Sequence, residues 1–170
     1  MHNVLTVYKQ VEMQFGEDGN IIVLDDCEVI VTVSYDEKPW IQTIANTSDD
    51  LRPASGNGEV YRDCEYKRFG TVSLLAGIDL LTGEAIPLVC DTHKSSDFVC
   101  FLKILDLKYP AQDTIWIILD NHSAPTSKEI KDFLPTMPEW RFEFVFTLKH
   151  GSWLNMVERF FTVKPNLCFS

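Results

Sequence analysis

The segment Cys27-Glu-Val-Ile-Val-Thr-Val-Ser-Tyr-Asp36 is dense in β-branched residues and ends on a carboxylate. Such a composition predicts a strand in the middle of a sheet. A second run, Thr114-Ile-Trp-Ile-Ile-Leu119, is almost continuously apolar, as expected of a strand covered on both faces, and Asp120 follows it directly. The sequence therefore predicts two buried strands that each end at an aspartate.

The remaining segments predict further helices and strands. They are a helix over 4–15, a strand over 40–45 that could pair beside the first, a hairpin of strands 71–80 and 85–90, a helix over 95–107 capped by Ser95 or Ser96, a helix over 125–134 with Pro125 in its first turn, a strand over 140–147 and a last helix capped by Ser152. From the first strand onwards, this is the order of the ribonuclease H-like fold, an α/β fold with a mixed five-stranded sheet flanked by helices. Its first and fourth strands are parallel neighbours, so we expect Asp36 and Asp120 side by side where such sheets place ligand sites.

A third acidic residue, Glu158, lies within a short helical segment near the C-terminus. Its neighbours in Trp153-Leu-Asn-Met-Val-Glu-Arg-Phe-Phe161 are mostly apolar, which predicts a packed helix in which a lone carboxylate needs a reason. One helix and one strand separate Asp120 from Glu158, enough to return the chain to the same edge of the sheet. Three converging carboxylates suit Mg²⁺ or Mn²⁺, and paired ions suit in-line chemistry on phosphodiesters.

Each of the three acids also has an ordinary interpretation. A single aspartate after a strand is usually a turn former or a helix cap. A glutamate in a helix is usually solvated. Composition and topology alone leave the choice open between one metal site and three unrelated acids.

The overall composition limits the possible functions. A chain of 170 residues with 45% hydrophobic content can bury the core of one domain. It has no apolar stretch near the ~20 residues that a membrane span needs and no secretory signal pattern, so we expect a cytoplasmic protein without a membrane partner. The 15 Lys and Arg residues against 25 Asp and Glu residues give a net charge of −10, which is unusual for a protein that binds DNA unaided.

Four ordered segments carry a resemblance to a known family: Val-Ser-Tyr-Asp-Glu-Lys-Pro-Trp-Ile-Gln (33–42), Arg-Asp-Cys-Glu-Tyr-Lys-Arg-Phe-Gly-Thr-Val-Ser-Leu-Leu-Ala-Gly-Ile-Asp (62–79), Leu-Asp-Asn-His-Ser-Ala-Pro-Thr-Ser-Lys-Glu (119–129) and His-Gly-Ser-Trp-Leu-Asn-Met-Val-Glu (150–158). Together they resemble the catalytic domain of insertion-sequence 630 transposases, bacterial relatives of the mariner elements. The resemblance extends from about Val4 to Phe161. It implies that Asp36, Asp120 and Glu158 form the family's acidic triad.

The resemblance also implies a chemistry and its partners. Two Mg²⁺ (or Mn²⁺) ions held by the three carboxylates would support cleavage of DNA at the ends of a transposable element and strand transfer into a TA target. Asn121 and His122 could orient water or a phosphate, or only cap the next helix. The basic residues that could contact DNA, or simply be solvated, are Lys38, Arg62, Lys67, Arg68 and Lys149.

The resemblance further divides the chain and leaves alternatives. We expect residues 1–22 to form a linker helix and connection, 23–163 the catalytic domain and 164–170 an aberrant tail, as in a transposase truncated at both ends. Such a core would not be competent alone. It could instead be an inactive remnant that only dimerises, with itself or with full-length transposase, or a nuclease that shares the fold. In any of these roles we expect it in the bacterial cytoplasm, at the nucleoid when bound to DNA.

Overall fold

The computed structural model describes residues 3–15, 29–46, 66–120, 127–147 and 156–157. In chain order these residues form α1 (Val4–Glu12), β1 (Ile30–Asn46), β2 (Tyr66–Asp79), β3 (Ala85–Cys90), α2 (Ser95–Lys108), β4 (Thr114–Leu119), α3 (Lys128–Phe133), a 3₁₀ turn (Leu134–Thr136) and β5 (Phe142–Phe146). Within these ranges no helix is long and apolar enough to cross a membrane.

The five strands form one mixed sheet in the order β3-β2-β1-β4-β5. β2 is antiparallel to both β1 and β3, whereas β4 is parallel to both β1 and β5. β1 and β4 are central because their runs are apolar on both faces and each face is covered by helices. This order is that of the ribonuclease H-like fold, so the predicted fold class and the parallel pairing of the first and fourth strands are confirmed.

The larger core lies on the side of the sheet that we call the α2 face. The predicted apolar face of α2 is buried against it, through Phe98, Phe101, Leu102 and Leu105. Gly77 of β2 allows this close contact, because a Cβ there would lie 2.7 Å from Val33 Cγ1 and 2.8 Å from Phe101 Cζ. A side chain at position 77 would therefore push α2 away from the sheet.

The opposite side, the α1 face, is covered by α1. Asn3 begins this helix by accepting a hydrogen bond from the backbone N–H of Leu5 at 3.2 Å. Val4 and Val7 are then buried in one cluster with three strand residues, Trp116, Ile118 and Val145. The sheet thus has helices on both faces, and the leading helix is part of the packed domain.

The first strand differs from its prediction. The sequence predicts a strand that ends at Asp36 and a separate strand over 40–45, whereas β1 is one strand of 17 residues that pairs with β2 on both sides of Asp36. Pro39 has no N–H to donate to a neighbouring strand, and a proline in such a position usually marks the end of a strand. The ladder instead shifts its register between Lys38 and Ile41, and Trp40 takes a φ of 61°. The predicted strand end at Asp36 and the predicted separate strand over 40–45 are therefore both wrong, because β1 continues past Pro39 through a bulge.

The cap of α2 also differs from its prediction. Lys94 is the N-cap residue, and Asp97 in the first turn accepts hydrogen bonds from the Lys94 backbone N–H at 2.8 Å and the Thr92 hydroxyl at 2.6 Å. The expected cap, Ser95 or Ser96, is wrong. A carboxylate in the first turn satisfies the free backbone N–H more strongly than a hydroxyl because it is charged.

The following helix, α3, is shorter than predicted. It begins at Lys128 because Ser127 caps it, with the Ser127 hydroxyl accepting from the backbone N–H of Ile130 at 3.4 Å. The predicted start at Pro125 is wrong, although that residue itself lies outside the described residues. Ser152, the predicted cap of the last helix, also lies outside them; Met156 and Val157 are helical.

Arg141 holds the connection between α2 and β4 in place. Its side chain is 1% exposed and lies at the start of β5. Nε donates to Asp106 Oδ1 at 2.7 Å, Nη1 donates to the carbonyls of Pro110 and Asp113 at 2.6 Å, and Nη2 donates to the carbonyls of Asp106 and Tyr109 at 2.9 Å. Five hydrogen bonds satisfy the buried guanidinium. They hold the connection between α2 and β4 at the end of the sheet opposite the predicted site.

Candidate active site

Asp36 lies on β1 and Asp120 directly follows β4, which is the parallel neighbour of β1. The parallel ladder of β1 and β4 runs without a shift from Ile30 opposite Thr114 to Ser34 opposite Ile118. The same register, carried two residues farther, sets Asp36 opposite Asp120. Because neighbouring strands lie about 4.8 Å apart, this register would bring the two aspartates close together at the same end of the sheet. The side-by-side arrangement of these two residues stays a prediction, which the register of β1 and β4 favours.

Both aspartates belong to the α1 face. Side chains alternate along a strand, and Ile118, two residues before Asp120, packs under α1. Ser34, two residues before Asp36, is hydrogen-bonded to Tyr8 of α1. Both carboxylates are half-buried, so they are held by the sheet and still open to solvent. This combination is what a site for a charged ligand requires.

Thr147 orients Asp120, a role that was not predicted from the sequence. It directly follows β5 and is buried. Its hydroxyl donates to Asp120 Oδ1 at 3.2 Å, and its backbone N–H donates to the Leu119 carbonyl at 2.9 Å. The only signal in the sequence was its position at the end of a strand that could neighbour β4.

The third acid follows a residue that is anchored beside Asp36. Val157 is fully buried and packs with Leu74 and Ala76 of β2. Ala76 is the antiparallel partner of Asp36. Glu158 itself lies outside the described residues, so the contact that can be reported is the one made by its preceding neighbour.

Tyr35 closes the α2 face behind the aspartates. Burial, followed by the nearby carboxylates of Glu37 and Asp36, raises the pKa of its hydroxyl, which therefore stays protonated at neutral pH. Its ring lies 4.9 Å, centroid to centroid, from both Phe98 and Phe101. These contacts fix β1 against α2 next to Asp36.

The predicted basic residues that can be described lie on or near a surface ribbon. Residues 41–46 of β1 and 66–72 of β2 form this two-stranded ribbon beyond the sheet. Lys67 and Arg68 are exposed on it, and the Lys67 ammonium lies 5.5 Å from the centroid of the Phe69 ring. Lys38 is exposed on β1 between Asp36 and the ribbon.

Half of the predicted site lies outside the described residues. The residues concerned are Arg62, Asn121, His122, Lys149 and Glu158. Within the part of the chain that the structure describes, no group of three His, Cys, Asp or Glu side chains could hold a metal ion. Two of the three predicted ligands, Asp36 and Asp120, are in that part.

The described residues form a ribonuclease H-like sheet in which β1 carries Asp36 and β4 ends directly before Asp120. The chain belongs to the family described as DDE superfamily endonuclease, whose model matches residues 42–167. That match includes Asp120 and Glu158 and begins downstream of Asp36. The family is that of a nucleic-acid-cleaving enzyme.

Two solved structures resemble the chain at low identity. One is a chain of the simian T-cell lymphotropic virus intasome in complex with PP2A regulatory subunit B56 gamma, with 14% identity, a TM-score of 0.42, and coverage of 81% of this chain and 42% of that one. The other is the HTLV-2 integrase catalytic core domain in complex with magnesium, in a dimeric form, with 15% identity, a TM-score of 0.37, and coverage of 82% and 75%. The chain thus spans less than half of the first structure's chain. No curated protein matches the sequence.

Proposed function

We propose that this chain is the catalytic domain of a DNA transposase of the insertion-sequence 630 type. In this proposal Asp36, Asp120 and Glu158 act together in DNA strand cleavage and strand transfer. The observation that carries it is the parallel register of β1 and β4, which pairs Ser34 with Ile118 and, carried two residues farther, would bring Asp36 opposite Asp120. The four sequence segments and the family membership support the transposase class.

The described donors fit a hard divalent cation. Asp36 and Asp120 offer carboxylate oxygens from adjacent strands, and such oxygens are the ligands that Mg²⁺ and Mn²⁺ prefer. The Thr147 hydroxyl orients one of the two carboxylates, as residues behind metal ligands commonly do. Glu158 is proposed as the third ligand, because Val157 before it is anchored on the partner of Asp36. Two bound ions would activate the attacking oxygen and stabilise the departing 3′ oxygen of a phosphodiester.

The DNA is proposed to lie along the ribbon. Lys67 and Arg68 are exposed on the ribbon and Lys38 is exposed beside it, and phosphate contacts by such residues supply most of the affinity for DNA. Arg62 and Lys149 are proposed to extend this surface, with Asn121 and His122 orienting the phosphate or water. The net charge of −10 opposes unaided binding. We therefore propose that a second transposase chain or domain holds the transposon end and the TA target, at the bacterial nucleoid.

A cleavage and strand-transfer assay tests this function. The substrate is a short duplex with the terminal sequence of the element that encodes the chain, pre-nicked at its 3′ end, with a plasmid as target and Mn²⁺ or Mg²⁺ as the metal. Asp120→Asn and Glu158→Gln remove proposed ligands. Asp132→Asn is the matched control, because it makes the same chemical change at an exposed position of α3.

Joining of the 3′ end to the plasmid by the wild type and Asp132→Asn, but not by the two site variants, is the expected result. Plasmid nicking without any joining would support a nuclease that shares the fold and contradict the transposase proposal. Inactivity of the wild type with every metal, even in the presence of full-length transposase, would support an inactive remnant.

A further inference from the structure

Tyr8 joins three parts of the candidate active site that are far apart in sequence. It lies on α1, half-buried against the α1 face of the sheet. Its hydroxyl is hydrogen-bonded to the Ser34 side chain on β1 and to the backbone of Met156. One side chain therefore connects the leading helix, the first central strand and the segment 156–157.

Each of these contacts leads directly to a proposed ligand. Ser34 is buried and lies two residues before Asp36 on the same face of β1. Met156 lies two residues before Glu158. Val157, between Met156 and Glu158, is buried against Ala76, the strand partner of Asp36. Tyr8 and Ala76 thus hold the same short segment from two sides.

The state of the Tyr8 hydroxyl suits a structural link rather than proton transfer. Burial raises its pKa above the ordinary value for tyrosine, while the hydrogen bonds to Ser34 and Met156 act in the opposite direction without cancelling that rise. The hydroxyl is therefore protonated at neutral pH and able to form both hydrogen bonds at once.

We propose that Tyr8 is a positioning residue for the metal site: its hydroxyl ties the backbone that leads into Glu158 to the strand that carries Asp36. Without this link the proposed third ligand would lose one of its two anchors while the sheet and its two aspartates would stay in place. The inference rests on the proposed function, because it assigns Tyr8 a role only if Glu158 is a ligand of that site.

The test compares Tyr8→Phe with Tyr109→Phe in the full chain. Tyr109 is the matched control, because its hydroxyl is also hydrogen-bonded, donating to Asp79 Oδ2 at 2.9 Å, but at the last residue of β2. Ser34→Ala is a second variant that removes part of the same link and keeps the Tyr8 ring. Two measurements are made: amide hydrogen exchange of the peptide that contains 156–157 without metal, and Mn²⁺ affinity by titration calorimetry.

We expect Tyr8→Phe to speed hydrogen exchange at 156–157 and to weaken Mn²⁺ binding by roughly 10-fold or more, the usual effect of losing a residue behind a metal ligand. Ser34→Ala should change both in the same direction, and Tyr109→Phe should change neither. Unchanged exchange and affinity in Tyr8→Phe would overturn the inference. If Asp120→Asn leaves Mn²⁺ binding intact, the proposed function fails instead, which separates the two outcomes.

Discussion

Asp36 and Asp120 each lie two residues beyond a paired position of the parallel strands β1 and β4, Ser34 opposite Ile118, although β2, β3 and α2 lie between them in sequence. The antiparallel neighbour on the other side of Asp36 is Ala76, a small residue that leaves room for Val157 to pack. The pairing of β1 with β2 and β4 therefore sets where the chain reaches each of the two aspartates.

Replacing Thr147 should weaken the metal site without unfolding the domain. Thr147→Val keeps the shape of the buried side chain but removes the hydroxyl that donates to Asp120. Because loss of a group behind a metal ligand usually costs 10–100-fold, we expect about 10-fold weaker Mn²⁺ binding by calorimetry. The free energy of unfolding should fall by only about 1 kcal/mol.

Thr136→Val is the matched control, since it removes a threonine hydroxyl that donates to the Phe133 carbonyl at 2.6 Å, away from the aspartates. Equal Mn²⁺ affinity in the two variants would show that Thr147 does not orient a metal ligand.

Removing the basic residues of the ribbon should lower the affinity for DNA and its dependence on salt. Lys67→Ala/Arg68→Ala removes two exposed cations. Each lost phosphate contact reduces the slope of log affinity against log salt concentration by about 0.9. We expect a slope smaller by roughly 2 in a fluorescence anisotropy titration with duplex DNA if both residues contact phosphate.

The control for charge is Lys128→Ala/Lys131→Ala, which removes two exposed cations from α3 on the α2 face. A slope that changes equally in both double variants would indicate a general effect of net charge, and the ribbon would lose its proposed role.

Gly77 should tolerate no side chain. In Gly77→Ala the new Cβ would lie 2.7 Å from Val33 Cγ1 and 2.8 Å from Phe101 Cζ. We expect a loss of about 1–3 kcal/mol in the free energy of unfolding, measured with urea, because overpacking forces the neighbours to move. Val33→Ala/Gly77→Ala should lose less than the sum of the two single variants, since the shorter Val33 makes room. Strictly additive losses would contradict the close contact.

The hydrogen bonds of Arg141 should make it essential for stability. Arg141→Met leaves the Asp106 carboxylate and four backbone carbonyls without their donor, so we expect a loss of about 3 kcal/mol, near the lower end for a broken buried pair because Asp106 is partly exposed. Arg141→Lys should recover little, because an ammonium lacks the planar fork that reaches all of these oxygens. Full stability in Arg141→Lys would show that charge alone suffices.

The two central strands could be predicted because their burial is evident from their own residues. The β-branched run before Asp36 and the apolar run before Asp120 were sufficient to predict two central strands, because a strand covered on both faces must be apolar throughout. The order of elements then predicted their parallel pairing. These two inferences supply the part of the candidate site that the structure describes.

The errors and omissions come from contacts between distant residues. Pro39 resembles the end of a strand in the sequence. The bulge that accommodates it becomes visible only when the register between β1 and β2 is known. Thr147 contacts Asp120, and Arg141 contacts Asp106, across long stretches of sequence. Tyr8 is likewise an ordinary residue of an amphipathic helix until its contacts with Ser34 and Met156 are seen.

Crystals of the full chain grown with Mn²⁺, measured at a wavelength where manganese scatters anomalously, would show whether the three carboxylates share one metal site. We expect an anomalous peak on the α1 face of the sheet, in contact with carboxylate oxygens of residues 36, 120 and 158. A peak elsewhere, or saturating Mn²⁺ with no peak between the two aspartates, would contradict it.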